Sequence, residues 1–369
     1  MSEPVGVGLI GCGNVAGLRH LPALGGLSGA RVVALADPDR GSLESLAARY
    51  GVRQRYADHE ALLEDPGVEV VGVLVPAARH ADVLLAALEA GKHALVEKPV
   101  ALSMVDADQM VERAERSTAK VSVGFNLRAH HLVRRARELL EEGIVGPIRS
   151  IAGALLGDPG TTDNRWQDWR TQRRLGGGAL FEKGPHHYDL WRLLSGSEAV
   201  EVSAISEEAD GADLTTVVSA RLESGALATT ALAEYGPAVN RVTVLGPEGR
   251  LELSMLEFDG LRFTPASSHP GDARARLRAL RDFLRELPRG VGTMRQGGEY
   301  VASYRREWQL FLDAVREGRP VECSLEDGRR ALGIALAATG SAARGEAVRT
   351  EEAPPDLEAA LARPLRSLE

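Results

Sequence analysis

The first third of the chain alternates short apolar runs with amphipathic segments of helical period. The apolar runs occupy residues 5–10, 31–36, 68–75, 93–96 and 120–125, each bounded by Gly, Pro or Asp. Runs of this length and composition predict buried strands. Because helical segments separate them, the pattern predicts a parallel sheet covered on both faces, which is a doubly wound α/β domain.

The pattern changes after residue 124. A long amphipathic segment is followed by strand-like stretches at 147–157 and at several places between 199 and 264. Strands joined by turns, with no helices between them, predict an open, mostly antiparallel sheet. The length of 369 residues also favours more than one hydrophobic core. We therefore predict two domains, residues 1–124 and 125–369.

The last hundred residues carry three further patterns. Helical periodicity recurs at about 300–317 and 325–344, and the tail EEAPPDLEAAL is expected to be a loosely held surface segment. The segment 264–300 is rich in glycine and arginine, and acidic residues alternate with its arginines as on a solvated helix face. It is interpreted either as an oligomer contact or as a loop over a pocket.

Composition excludes several classes of protein. A net charge of −8 argues against nucleic-acid binding, which requires a basic face. No apolar run approaches the roughly 18 residues that span a bilayer, and the N-terminus lacks the basic region of a signal peptide. The two cysteines, Cys12 and Cys323, form neither a disulfide framework nor a zinc ligand set. We expect a cytoplasmic, reduced protein.

The stretch GCGNVA follows the first predicted strand and leads into a helix. Gly11 permits a tight turn, Gly13 lets the backbone approach a pyrophosphate, and Asn14 and Val15 begin the helix on whose N-terminus that pyrophosphate would lie. A glycine motif alone is weak evidence, but its position between a strand and a helix makes it specific. The loop predicts a dinucleotide site.

Asp37 ends the second predicted strand, where an acid accepts hydrogen bonds from the adenosine ribose. Its charge would repel a 2′-phosphate and so favours NAD. Arg40 argues the other way, since an arginine can bind that phosphate, and NADP stays possible. Pro76 and His80, after the third apolar run, are further predicted cofactor contacts, as are Glu97 and Lys98.

The sequence VEKP places Glu97 and Lys98 at the carboxyl end of a parallel strand, where open α/β sheets bind ligands. Beside an oxidised nicotinamide, burial and a like charge would lower the pKa of Lys98. A surface lysine next to a salt-bridged glutamate is the alternative interpretation.

These motifs and GGGALFEKGPHHYD together resemble the Gfo/Idh/MocA family of NAD(P)-dependent sugar and cyclitol oxidoreductases. The resemblance extends over almost the full chain, through GKHALVEKP, GFNLR, EEGIVGPI, VLGPEGRLEL and the pattern EWQLFLDAVREGRPVECSLEDGRRAL. It implies a Rossmann domain followed by an α/β domain whose sheet serves substrate binding and subunit contacts. A homodimer or homotetramer with a sugar or cyclitol substrate is therefore expected.

The resemblance also implies roles for individual residues. Lys98 matches the catalytic lysine, with a cis bond before Pro99, and His186 matches the acid/base. Glu182 stands where the family usually has Asp, and Asp189 matches a further acidic position. Four positions match segments that line the substrate pocket in relatives: Asn126, Arg128, Trp169 and Arg170.

The expected reaction is hydride transfer from a secondary alcohol, with His186 as base and Lys98 stabilising the developing alkoxide. Two alternatives stay open: a biosynthetic keto-sugar reductase, and a non-catalytic dinucleotide sensor of the same fold. We predict no metal site, because adjacent histidines at 130–131 and 186–187 would point about 100° apart on a helix and rarely share an ion.

Overall fold

A computed structural model describes residues 3–157, 172, 175–209, 212–268, 273–295 and 298–362. The chain divides into two compact units, one of Met1–Ala129 with Val301–Leu332 and one of His130–Tyr300 with Gly333–Glu369. The sequence-based boundary after residue 124 assigned everything beyond it to the second domain. The first unit instead takes in residues 301–332, because Trp308 and Phe311 are buried there and the Cys323 carbonyl accepts a hydrogen bond from Val123.

The first unit contains a six-stranded parallel sheet. Its strands are β1 (Val5–Ile10), β2 (Ala30–Ala36), β3 (Gln54–Tyr56), β4 (Val70–Val73), β5 (His93–Val96) and β6 (Val121–Val123), in the order β3-β2-β1-β4-β5-β6. The predicted doubly wound sheet is confirmed. The prediction missed β3, because this strand has three residues and its sequence, QRY, is polar and largely exposed.

Helices alternate with these strands. A π-helical turn, Ala16–His20, leads into α1 (Leu21–Gly25), and the later helices are α2 (Arg40–Tyr50), α3 (His59–Leu63), α4 (His80–Glu89) and α5 (Met104–Glu115). Three of them begin after a side chain that accepts a backbone N–H, namely Asp39, Asp58 and Ser103. Local sequence thus determines where these helices start.

The second unit is built on an eight-stranded sheet. Its strands are β7 (Ser150–Leu156), β8 (Ala199–Ala209), β9 (Ala212–Leu222), β10 (Leu227–Ala233), β11 (Val239–Gly246), β12 (Gly249–Ser254), β13 (Leu261–Pro265) and β14 (Val348–Arg349). The order is β13-β12-β11-β7-β10-β9-β8-β14, and only the β7–β10 pair is parallel among these pairings. The predicted mostly antiparallel sheet is confirmed.

The remaining helices are α6 (His131–Glu141), α7 (Ala179–Glu182), α8 (Gly184–Ser195), α9 (Ala273–Arg295), α10 (Gly298–Glu317), α11 (Leu325–Arg344) and α12 (Leu357–Leu361). The helices predicted near 300–317 and 325–344 are confirmed by α10 and α11. The segment interpreted as a contact or a loop is mostly the long helix α9. No helix in the part of the chain covered above is long and apolar enough to cross a membrane.

The expectation of a loosely held tail is wrong. β14 pairs with β8, and Leu357 and Ala360 of α12 are buried. Asp356 caps α12 by accepting the Ala359 N–H. Two apolar residues three positions apart therefore anchor a segment whose composition alone suggested solvent exposure.

Candidate active site

The glycine loop after β1 combines a glycine that the fold requires with one that leaves space. Gly11 has φ +102°, and a Cβ there would lie 2.6 Å from the Leu74 carbonyl oxygen. Gly13 is exposed, and a Cβ added to it would meet no protein atom within 4 Å. Packing therefore explains Gly11, whereas Gly13 keeps open a space that suits a close-lying phosphate group.

The helical segment that follows presents its N-terminus at this loop. Asn14 is exposed and Val15 half-buried, while Ala16 is fully buried, so the small third residue of the motif lies in the packed interior. Unpaired N–H groups at a helix start favour an anion. The donor set therefore fits a dinucleotide pyrophosphate.

Asp37 links the end of β2 to the glycine loop. Its Oδ2 accepts the Cys12 N–H at 2.6 Å, and its Oδ1 accepts the Asp39 N–H at 2.7 Å. Burial, followed by the Asp37 charge, raises the pKa of the Cys12 thiol to about 12, so Cys12 is a neutral packing residue. Arg40 is exposed at the first position of α2.

Lys98 stands immediately beyond β5 and is half-buried. Its main-chain N–H donates to Glu97 Oε2 at 3.0 Å, and the Lys98–Pro99 peptide bond is cis, as the resemblance implied. The carboxyl ends of β1, β4 and β5 share one edge of the sheet, and the strand order reverses between β1 and β4. The glycine loop, Pro76 and Lys98 thus all lie at the edge where such sheets bind ligands.

Pro76 and His80 both lie beside this edge, but they differ in exposure to solvent. Pro76 is exposed, whereas His80 is buried, with Nδ1 2.9 Å from the Pro99 carbonyl oxygen and Nε2 2.9 Å from that of Val75. Burial lowers the pKa of His80 although these carbonyls favour its proton. Both imidazole nitrogens face main-chain carbonyls, so His80 braces the β4 and β5 loops, and its predicted contact with the cofactor stays a prediction.

The polar surroundings of Glu97 include residues that sequence reasoning missed. His20 Nε2 lies 2.9 Å from Glu97 Oε1, and the Trp308 indole N–H donates to His20 Nδ1 at 3.0 Å. Residues 20, 97 and 308 are remote in sequence, and no local spacing connects them. Trp308 belongs to the motif EWQLFLDAVREGRPVECSLEDGRRAL, which is part of the family resemblance. Nothing in that motif indicates a contact with His20.

Asn126 and Arg128 belong to a short 3₁₀ turn after β6. Asn126 is fully buried and its Nδ2 donates to Ser303 Oγ at 2.8 Å. Arg128 donates to the Glu322 carbonyl and pairs with Asp327, each at 3.0 Å. Burial would raise the pKa of Asp327, yet the Arg128 charge and the Ser324 hydrogen bonds hold it at about 2. These contacts of the two predicted substrate residues are therefore structural ties within the first unit.

In the second unit, the three glycines at the start of GGGALFEKGPHHYD lead into the N-terminus of α7. Gly176 and Gly178 have φ of +85° and +93°, and a Cβ on Gly178 would collide with the Asp213 carboxylate. Asp213 Oδ2 accepts the Leu180 N–H at 2.7 Å. The glycines are thus required by a backbone turn and by a buried acid that caps the helix.

Glu182 and His186 are separated by a break between two helices. α7 ends at Glu182, and α8 begins at Gly184 with Pro185 in its first turn. Pro185 thus stands in the first turn of a helix, a position that suits proline. Glu182 is half-buried and His186 is 6% exposed. Because α7 and α8 are separate helices, the four-residue spacing does not by itself place the two side chains on one helix face.

The neighbours of His186 have structural partners. His187 lies 2.8 Å from Thr230 Oγ1 through Nδ1 and 3.2 Å from Asn240 Oδ1 through Nε2, and burial lowers its pKa to about 4. Asp189 pairs with Arg192 at 3.5 Å. Of the two adjacent histidines, His187 is committed to the sheet beneath α8. Trp169 and Arg170, the other predicted substrate residues, lie outside the described residues.

One group of possible metal ligands occurs in the described ranges, formed by His130, His131 and Glu299 within 4.8 Å. His130 precedes α6 as its N-cap, so the two rings stack with centroids 4.9 Å apart instead of diverging as on a helix. Arg289 donates to Glu299 at 2.8 Å, and His131 lies 3.1 Å from the same carboxylate. Since Leu132 N–H donates to His130 Nδ1, the proton of that neutral ring is on Nε2. An ion-pair network explains this group without a metal.

Comparison with known proteins agrees with this architecture. Residues 5–125 match the model of an oxidoreductase family with an NAD-binding Rossmann fold, and residues 133–252 match the GFO/IDH/MocA C-terminal domain. The chain is 29% identical to myo-inositol 2-dehydrogenase of Thermotoga maritima over 94% of this chain and 98% of that protein.

Two further relatives extend the comparison. dTDP-3,4-didehydro-2,6-dideoxy-α-D-glucose 3-reductase of Saccharopolyspora spinosa is 32% identical over 62% of this chain and 68% of its own. The solved structure of levoglucosan dehydrogenase in complex with NADH and levoglucosan superposes with a TM-score of 0.75 at 23% identity, covering 94% of this chain and 100% of that one. The chain belongs to the Gfo/Idh/MocA family of oxidoreductases.

Proposed function

We propose that the protein oxidises a secondary alcohol of a sugar, glycoside or cyclitol and transfers the hydride to NAD. The observation that carries this proposal is the set of residues grouped at one edge of the first sheet. There the glycine loop, Asp37 and the Glu97-Lys98-Pro99 turn follow strands whose carboxyl ends coincide at the point where strand order reverses. The inositol and sugar dehydrogenases among the relatives support the substrate class.

The cofactor is held by the first unit. The N–H groups beyond Gly13 face the pyrophosphate, and Asp37 accepts hydrogen bonds from the ribose hydroxyls. The Asp37 charge disfavours a 2′-phosphate, so NAD is preferred, and exposed Arg40 is the residue that would accommodate NADP. When bound, the nicotinamide supplies the hydride acceptor.

Proton transfer is assigned to three side chains. As the carbon-bound hydrogen leaves with its electron pair, the hydroxyl proton passes to neutral His186, and the Lys98 ammonium stabilises the developing alkoxide. Glu182 orients the imidazole or keeps the lysine charged. The extra methylene of Glu182, compared with the aspartate usual in the family, shifts its carboxylate by about 1 Å, a displacement large enough to affect rate and sugar stereochemistry.

Four further residues are assigned to the substrate site. Trp169 and Arg170 are proposed to contact the sugar directly. Asn126 and Arg128 support the pocket through the bonds to Ser303 and Asp327 described above. Substitution of Trp169 should raise the KM for the sugar, whereas loss of Arg128 should mainly lower the melting temperature.

Reduction of a keto-sugar is the second candidate function. It is supported by the relative from Saccharopolyspora spinosa, which is named a 3-reductase. The two reactions use the same proton-transfer groups in opposite directions, since each elementary step is reversible.

We also propose that the protein is a homo-oligomer, because one face of the second sheet carries exposed apolar side chains. Ile205 is 81% exposed and pairs with Val217 across the β8–β9 ladder, and the registers of β9, β10, β7 and β11 place Leu227 and Leu245 on the same face. Several exposed large apolar side chains on one sheet face are typical of a subunit contact. Sedimentation velocity should show a dimer or tetramer, and Ile205→Glu combined with Val217→Glu should dissociate it; a monomeric wild type would contradict the proposal.

The function is tested by mixing the protein with NAD and, one at a time, myo-inositol, scyllo-inositol, levoglucosan and common aldoses, and recording the absorbance of reduced nicotinamide. Turnover of one or more of these compounds is expected. Oxidation of NADH with keto-sugars and no forward turnover would select the reductase. Tight binding of NAD without turnover in either direction would refute an enzymatic function.

A further inference from the structure

A buried chain of hydrogen bonds lies behind Lys98. The Trp308 indole N–H donates to His20 Nδ1 at 3.0 Å, His20 Nε2 lies 2.9 Å from Glu97 Oε1, and the Lys98 main-chain N–H donates to Glu97 Oε2 at 3.0 Å. His20 and Trp308 are fully buried and Glu97 is 6% exposed. The two bonds of His20 therefore lie away from water, in surroundings where hydrogen bonds are strong and missing partners are costly, and the bond from the Lys98 N–H is partly buried.

The direction of these bonds is determined by the indole. A tryptophan N–H donates and never accepts, so His20 Nδ1 must offer its lone pair. In the neutral ring the proton is then on Nε2, which donates to Glu97. Trp308 thereby selects the tautomer that binds the carboxylate.

Packing restricts the imidazole to this orientation. Tyr304 and Trp308 meet the His20 ring edge-on, with centroids at 5.1 and 5.9 Å. The Trp308 indole itself lies against β4, where a Cβ on Gly72 would approach it to 3.3 Å. The ring therefore cannot turn without displacing large buried side chains.

His20 also belongs to the segment that carries the cofactor loop. It closes the π-helical turn that starts three residues after Gly13, and Pro22 follows in the next turn, where it cannot donate a helical hydrogen bond. The chain of bonds thus joins three elements of the first unit: the helix of the glycine loop, the end of β5 and α10.

Two other ionisable groups lie near Glu97. Glu307 precedes Trp308 on α10, is buried, and neither of its carboxylate oxygens has a hydrogen-bond partner among the described residues. Burial, and then the Glu97 charge, raise the pKa of Glu307 well above its usual value, so it holds a proton. His80, also within the electrostatic reach of Glu97, is buried with a lowered pKa. The contacts of Glu97 described above are therefore explained without a further buried cation.

We infer that His20 is a positioning residue for Lys98: with its tautomer selected by Trp308, it holds the Glu97 carboxylate that binds the Lys98 main chain, and so couples the cofactor loop to the lysine. This inference rests on the proposed function. His20 and Trp308 touch neither substrate nor cofactor in this role. They act on the rate by keeping the Lys98 turn in place.

The first test needs no substrate. Nitrogen-detected NMR of the imidazole rings at neutral pH should show His20 protonated at Nε2 and unprotonated at Nδ1. Trp308→Phe removes the indole donor and keeps an aromatic ring. In this variant the nitrogen signals that report the protonation of His20 should change. A wild-type His20 protonated at Nδ1 would overturn the inference, whatever the behaviour of the variants.

The second test uses kinetics with the panel compound that is turned over. Trp308→Phe should lower kcat about 10-fold and His20→Ala about 100-fold, the scale on which displacement of a reacting group acts, with an unchanged Kd for NAD. His20→Gln should recover much of the rate, because its amide N–H can reach the position of Nε2. The control is Trp191→Phe, since Trp191 is equally buried and its indole nitrogen has no partner in the part described.

The outcomes separate the inference from the proposed function. If Lys98→Met abolishes turnover while Trp308→Phe and His20→Ala keep the wild-type kcat, the inference fails alone. Equal losses in His20→Gln and His20→Ala would also contradict it, because a purely structural role predicts no selective rescue. If Lys98→Met is as active as wild type, the catalytic role of Lys98 fails, and if no compound of the panel is turned over in either direction, the proposed function itself fails.

Discussion

The end of β5 and the start of α8 each present a candidate proton-transfer residue, but they hold it in different ways. Lys98 stands on a turn whose main chain binds Glu97; that carboxylate is held by His20, 77 positions away, and His20 is held in turn by Trp308. His186 stands in the first turn of a buried helix, within a contiguous motif whose glycines and capping Asp213 position the short helix before it. Lys98 thus depends on a network assembled from remote positions, whereas His186 depends mainly on a local motif, to which β9 adds the capping Asp213. Their supporting residues should therefore respond differently to substitution.

Removal of the lysine should have the largest effect. Lys98→Met should lower kcat by about 1,000-fold or more, because the alkoxide loses its cation and its proton-transfer partner, while the Kd for NAD changes little. Steady-state rates and fluorescence titration with NAD measure the two quantities. Lys120→Met, also at a half-buried lysine, serves as control. Comparable turnover in the two variants would contradict the assignment.

The adjacent histidines offer the sharpest comparison within α8. His186→Ala should lower kcat by about 100-fold to 1,000-fold, with loss of the acidic limb of the pH–rate profile. His187→Ala should keep kcat per folded molecule but lower the free energy of unfolding by about 1–3 kcal/mol, since Thr230 and Asn240 lose a buried partner. Rates corrected for the folded fraction distinguish the two, and the opposite pattern would exchange their roles.

Two buried histidines should make stability depend on pH. Burial lowers the pKa of His130 and of His187 to about 4, against 6.5 for an exposed imidazole. Between these values the unfolded chain binds protons that the folded chain does not, so stability is complete above pH 6.5 and falls as the pH drops towards 4. Each group accounts for up to about 3 kcal/mol. Urea unfolding from pH 7 to 4.5 should show this loss, with a shallower dependence in His187→Gln; identical dependences would argue against a buried neutral His187.

The smallest effect is expected at Asp37. Asp37→Asn removes the charge but keeps an oxygen for the Cys12 N–H, so the loop should stay folded. The Kd for NAD should rise about 10-fold, and that for NADP should rise less or fall, because a charged acceptor is lost and a repulsion with the 2′-phosphate is relieved. Isothermal titration with both nucleotides measures the ratio. A wild type that prefers NADP would refute the assignment of NAD.

Sequence reasoning succeeded where the relevant interactions are local. The strand-loop-helix order around Gly11, the helices α10 and α11 and the alternating pattern of the second sheet all appeared as periodicities. It failed where local composition was opposed by packing. The tail looked solvent-exposed but buries Leu357 and Ala360, and the polar triplet of β3 forms an edge strand.

The same distinction applies to the site residues. A motif predicts that a residue is special, but not which of its atoms are already engaged. His80 and Arg128 are predicted to contact ligands, and the structure adds that their polar atoms also lie against carbonyls and, for Arg128, against Asp327. The proposed roles of Lys98, His186 and Glu182 stay predictions to be tested as above.

By itself the sequence determined the two-sheet architecture, the dinucleotide loop and the family, because periodicity and short motifs depend on neighbours within a few residues. Only the tertiary structure decided that His20 and Trp308 stand behind Glu97, that Asp213 caps the helix leading to Glu182, and that residues 301–332 complete the first unit. The physical reason is that these contacts join positions far apart in the chain. Buried polar atoms need hydrogen-bond partners, and packing can supply these partners from distant parts of the chain. A local sequence pattern therefore does not predict which residues become partners.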